Sequence, residues 1–152
     1  MSFDVFIIAR IVLNVKLRSC ENLNAAFADP AIDIILCSRG GYGLQRILVR
    51  IVLPNRPKEQ WPLLVGCSDV TALHALLSLH GVPSLHANMC KDISLLPDDD
   101  TSLLEERKLL TLSPHSLLPF SLSPSTMPLS PLNRSGEAKG PLIGGNLSVL
   151  YG

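Results

Sequence analysis

The sequence has no excess of charge of either sign: 13 Lys and Arg offset 13 Asp and Glu among 152 residues. A nucleic-acid binder gathers basic residues into a face or stripe, and no polybasic run marks a membrane-surface segment. Both partners are therefore discounted. Nothing approaches the roughly 20 predominantly apolar residues needed to cross a bilayer. The apolar start, Met1 to Val15, carries Asp4 and Arg10 and lacks the basic leader of a secretory signal. It reads as a buried strand. A C-x-x-C pair is also missing, since Cys20, Cys37, Cys67 and Cys90 stand far apart. Zinc sites usually show such pairs or histidines at short spacing, so no metal is expected. Scattered single cysteines read as small buried hydrophobes in a reducing compartment.

What is present is apolar. Hydrophobic residues make up 47% of the chain and charged ones 17%, a balance that argues against disorder and implies surfaces built to be covered. The length suits one domain. Leu23 to Ala28 reads as the end of a helix stopped at Asp29-Pro30, because a residue before proline is pushed out of the helical region. Ile32 to Cys37 is a short run rich in β-branched residues, the pattern of a strand buried in a parallel sheet. The Arg39-Gly40-Gly41-Tyr42-Gly43 turn follows, and the apolar spacing of Leu44 to Ile51 predicts a helix. Leu63 to Gly66 predicts a second strand, Asp69 to Leu79 a helix ended by Gly81, and Pro83 to His86 a third strand. Strands alternating with helices imply an α/β fold with a parallel sheet.

Beyond Pro97 the character changes. Asp98 to Thr101 can cap a helix through Leu103 to Leu110. Leu-Ser-Pro then occurs at 112–114, 122–124 and 129–131, and five prolines from Pro114 to Pro131 exclude a helix or central strand there. The expected organisation is an incomplete α/β domain bearing a nucleophile (1–110), a Pro/Ser-rich linker (111–139), and the start of a connection onward (140–152).

The sharpest local feature is Gly66-Cys67-Ser68-Asp69-Val70. A serine between a buried strand and a helix has the placement of a nucleophile elbow, with its hydroxyl above the carboxyl end of the sheet. The following helix aims free N–H groups at developing negative charge. Only the first glycine of G-x-S-x-G is present, and Val70 stands at the second. The plainer alternative is that Ser68 caps the helix. Glycines at 40 and 41 let backbone amides approach a ligand. Neither G-x-G-x-x-G nor a P-loop fits that turn, but an oxyanion hole uses the same physics. A serine nucleophile needs a base within hydrogen-bond reach. His74, six residues on and about 120° round the helix from Ser68, points elsewhere. His86 can reach a cleft, yet no convincing base stands in the chain.

Taken together, four pieces resemble the L,D-carboxypeptidase family of serine peptidases. They are Glu21 to Pro30, Arg39 to Gly43, Gly66 to His74, and Gly144-Gly145-Asn146-Leu147-Ser148, in the family's order and with near-family spacing. The resemblance implies a flavodoxin-like parallel sheet with flanking helices, joined in the family to a C-terminal β-rich domain that this chain does not reach. It makes Ser68 the nucleophile and the backbone amides of Asp69 and Gly41 the oxyanion hole. It places Arg39, Gly40 and Asn146 near the substrate. It implies a murein peptide substrate, cleaved before its terminal D-alanine in the cytoplasm, no metal or organic cofactor, and room for a homodimer. The family's glutamate and histidine partners of the serine lie beyond the Gly-Gly-Asn-Leu motif, and only six residues follow Asn146. Loss of a triad member costs on the order of 10⁴ to 10⁶ in turnover, so the isolated chain is expected to be weakly active or inactive. Two alternatives stand beside this reading: a non-catalytic peptide- or nucleotide-binding α/β module, and Cys67 or Cys37 as the nucleophile.

Overall fold

The computed structural model describes residues 17–111, 130–134, 136–137 and 139–151. The strand expected over Met1 to Val15, the first two Leu-Ser-Pro stretches, the start of the third and His115 lie outside the described residues. The first helix, α1 (Leu17–Ala28), buries Cys20, Leu23 and Phe27, three positions on one face of a 3.6-residue repeat. It stops where the sequence predicts. Asp29 Oδ1 accepts the Ala31 amide at 2.8 Å, turning the chain into the sheet.

Three parallel strands form that sheet in the order β1 (Ile34–Leu36), β2 (Leu63–Gly66), β3 (Leu85–His86). Ile35 pairs with Leu64, and Val65 with Leu85. All four residues of β2 are buried, as befits a central strand covered on both faces. Successive side chains point to opposite faces. Leu64 therefore joins Ile35, Leu23, Phe27, Leu73 and Leu77 on one side, while Leu63 and Val65 meet Leu36, Leu85 and Ile93 on the other. The fold is α/β.

Parallel neighbours require crossovers. From β2 to β3 the crossover is α2 (Thr71–Leu79), preceded by a single 3-10 turn over Ser68–Val70. Gly81 ends it in the left-handed conformation (φ 67°), with its amide donating to Ser78 O and the Val82 amide to Leu77 O. These two bonds make the glycine stop anticipated at this position. A four-residue helix, α3 (Cys90–Ile93), follows β3. Helix α4 (Thr101–Thr111) is capped by Asp100, whose Oδ1 accepts the amides of Ser102 and Leu103. The last element is α5 (Leu147–Tyr151).

One expectation is corrected. The Leu44 to Ile51 segment is not an α-helix but a 3-10 helix over Leu44–Arg50. Its end is drawn out by α1: Asn24 Nδ2 donates to Arg50 O at 3.0 Å and Asn24 Oδ1 accepts the Val52 amide at 2.9 Å. Among the described residues no helix is long and apolar enough to cross a membrane.

Leu64 is fully buried at the centre of β2. Leu64→Ala is expected to cost about 2–5 kcal/mol, read as a lowered urea midpoint with an unchanged slope.

Candidate active site

Chain geometry at the end of β2 is abrupt. Cys67 is still extended (φ −141°), and Ser68 then takes φ 61° before the chain enters the 3-10 turn. Among the described residues Ser68 is the only one other than glycine with positive φ. An L-residue held left-handed costs about 1–2 kcal/mol, and such strain collects at functional positions. Two glycines make room for it. A Cβ at position 66 would lie 3.0 Å from Cys37 Cβ, and one at position 40 would lie 2.7 Å from Ser68 Cβ and 3.0 Å from its Oγ. The turn after β1 is thus packed directly on the serine. Val70, standing where G-x-S-x-G has its second glycine, is fully buried in the core beneath the turn.

Ser68 is half-buried, and its hydroxyl makes no hydrogen bond among the described residues. The capping alternative is therefore not realised. Asp69, by contrast, is engaged: its buried carboxylate accepts the Gly41 amide at 2.8 Å. Burial pushes its pKa up, while the amides of Gly41, Asp69 itself and Val70 pull the other way. Of the amides singled out from sequence as oxyanion donors, that of Gly41 donates to the Asp69 carboxylate in this structure. Gly40 N–H makes no hydrogen bond among the described residues, and Gly40 O accepts from Arg39 Nε. The Arg39 side chain is exposed and forms no ion pair among the described residues.

Asn146 lies close to this corner through its backbone. Its amide donates to Thr71 Oγ1 at 2.9 Å, a contact between residues 75 apart in sequence. Its side-chain Oδ1 accepts the Ser148 amide and hydroxyl, capping α5. Gly145 makes the approach possible, since its φ is 147° and a Cβ there would lie 2.5 Å from Thr71 Cγ2 and Oγ1. Thr71 was not singled out from sequence, because a buried threonine in a helix's first turn resembles any cap.

His74 is buried and committed at both ring nitrogens, to Gly66 O at 2.9 Å and Ser84 Oγ at 2.7 Å. Burial lowers its pKa. It braces the end of β2 and is not a base for Ser68. His86 is exposed, with its ring 5.6 Å from that of His74. The cysteine alternative loses ground on burial. Cys37 is pushed up to about 12, leaving roughly one thiolate in 10⁵ at pH 7. Cys67 is raised by burial and by Asp92, Glu106 and Asp69.

Glu106 is the residue sequence reading missed. It shares one face of α4 with Leu103 and is almost wholly buried. One oxygen accepts the Asn88 amide at 3.1 Å, and Oε1 is buried with no partner. Its signal was present as an acid three residues after a buried leucine. Among the described residues no group of three His, Cys, Asp or Glu side chains is placed to hold a metal.

Residues 14–87 match the model of the LD-carboxypeptidase N-terminal domain. Over that stretch the chain matches the LD-carboxypeptidase family. It is 35% identical over 130 residues to a protein of Streptomyces coelicolor that carries a carboxypeptidase name, covering 85% of this chain and 39% of that one. It is 30% identical over 131 residues to the murein tetrapeptide carboxypeptidase of Pseudomonas aeruginosa, covering 86% and 42%. A Bacillus subtilis relative named for murein peptide carboxypeptidase activity is 33% identical over 136 residues, covering 85% and 39%. The chain spans about two fifths of the length of these relatives.

Two outcomes follow for the LD-carboxypeptidase corner. Gly145→Ala is expected to lift residues 144–146 off Thr71, seen as faster hydrogen exchange at the Asn146 amide with α2 unchanged. Burial raises the Glu106 pKa in the folded chain. The folded state then binds protons more readily, so this contribution to stability is complete below the ordinary carboxylate range and is lost as pH rises through the raised value. Glu106→Gln is expected to flatten that part of a melting-temperature profile recorded upward in pH from the ordinary carboxylate range.

Proposed function

We propose that the chain supplies the nucleophile-bearing domain of a serine L,D-carboxypeptidase that removes the terminal D-alanine of murein tetrapeptides during cytoplasmic cell-wall recycling. The observation that carries this reading is the left-handed Ser68 at the end of β2 with Gly40 packed against its side chain. The name of the Pseudomonas aeruginosa relative supports the substrate class.

In this reading Ser68 Oγ gives its proton to a base and bonds to the acyl carbon of the L-centre. The carbonyl oxygen becomes an oxyanion beside the turn at residues 39–43. The bond to the D-alanine nitrogen breaks as that nitrogen takes up the proton, and water then cleaves the ester and frees Ser68. The base is the family's histidine, oriented by its glutamate, both C-terminal to the Gly144–Leu147 motif by resemblance. Arg39 is exposed at the edge of the turn, suited to the carboxylate of the departing residue.

A fluorophosphonate probe tests the nucleophile, because so activated a phosphorus centre asks less of a base than an amide does. A Ser68 adduct is expected by peptide mapping and is lost in Ser68→Ala. Whatever D-alanine the chain releases from a murein tetrapeptide is expected to be lost in the same variant. Unchanged release in Ser68→Ala would overturn the proposal. So would tetrapeptide binding with no adduct at Ser68, the outcome of a pure binding module.

A further inference from the structure

The Asp69 side chain makes a single cross-motif bond, and that bond sits beside the proposed nucleophile. Its carboxylate is 6% exposed and reaches the Gly41 amide, 28 residues away, at 2.8 Å. Asp69 follows β2 and Gly41 follows β1, so the bond ties together the carboxyl-end loops of two paired strands. Between its two ends the loops pack closely: the Cβ position of Gly40, the residue next to Gly41, falls 2.7 Å from Ser68 Cβ, the residue next to Asp69. The start of the same loop is held by the Lys91 amide on Ser38 O at 3.0 Å, and the Asp69 carboxylate holds its glycine turn.

From this geometry we infer that the Asp69 side chain is a positioning residue, a latch that holds the Gly40-Gly41 turn against Ser68 and leaves the Gly40 amide as the turn's donor to an oxyanion. The inference rests on the proposed function for its purpose, although the latch itself is a structural claim. A hydrogen bond from an amide to a carboxylate is short and roughly twice as strong as a neutral one, which suits it to oppose the crowding of Gly40 on Ser68. Holding Gly41 also takes that amide out of service. The assignment therefore moves the turn's oxyanion donor from Gly41 to Gly40, whose N–H makes no internal bond among the described residues. A donor misplaced by about 1 Å costs roughly 10²-fold in rate, so a loose turn is a slow enzyme.

Asp69→Asn keeps an oxygen acceptor for Gly41 N–H, and Asp69→Ala removes it. The fluorophosphonate reaction at Ser68 is expected to slow by about 10²-fold in Asp69→Ala and to stay within about tenfold of wild type in Asp69→Asn. Hydrogen exchange at the Gly41 amide is expected to accelerate in Asp69→Ala alone, and circular dichroism to report an unchanged fold in both. Wild-type labelling in Asp69→Ala, or a Gly41 amide equally protected there, would overturn the latch while leaving Ser68 as nucleophile. Equal loss of labelling in both variants would overturn it too, since the acceptor would then not be what matters. No labelling of wild type would instead overturn the proposed function, and with it the catalytic purpose of the latch.

Discussion

Everything at this corner depends on one backbone angle. To bring a serine from the buried end of β2 into a cleft, the chain has to reverse within two residues, and Ser68 does so by adopting φ 61°. A left-handed L-residue does not persist unless its surroundings over-determine it. Here they do. The preceding strand is buried at every position, His74 and the Ala87 amide both bond Gly66 O, and Val70 is sunk into the core. The strand cannot slide, and the helix after it cannot rotate. Between two fixed ends, the residue in the middle has no other conformation open to it.

That constraint explains the glycines better than a ligand does. Gly66 and Gly40 are small because Cys37 and Ser68 stand where a side chain would go, and Gly145 because Thr71 does. Three separated sequence motifs are thus three contact surfaces of a single corner. The fourth, within α1, works at the other end of the sheet's first crossover, where Asn24 completes the hydrogen bonding of residues 50 and 52. A resemblance spread over the chain becomes one packed object once the strands are parallel.

Periodicity was enough for the elements whose reasons are local. The Asp29-Pro30 stop, the buried run of β2 and the Gly81 terminus of α2 follow from residues within a few positions of each other, and the structure has them where the sequence puts them. It failed at Leu44–Arg50, where helical spacing is realised as a tighter 3-10 coil whose end is held by Asn24 from another element. At the site, Ser68 was legible because its strand and helix are adjacent in sequence. The partners of Gly41 and Asn146 were not. One amide is held by a carboxylate 28 residues away and the other by a hydroxyl 75 residues away, and no pattern of residue types encodes which polar group closes on which. Glu106 was overlooked for the opposite reason: helices rarely turn an acid inward, and nothing in its neighbours in sequence marks it as buried beside Leu103.

The Thr71 to Asn146 joint bears on how the sequence between them can vary. Closing a loop becomes harder only logarithmically with its length, by about 0.6 kcal/mol for each doubling. The joint itself needs just a hydroxyl, an amide and a residue without a side chain. If residues 111–139 are the Pro/Ser-rich linker that the sequence predicts, that linker can therefore gain or lose many residues without unseating the Thr71 to Asn146 joint. Length is nearly free there, whereas a single methyl group at position 145 is not.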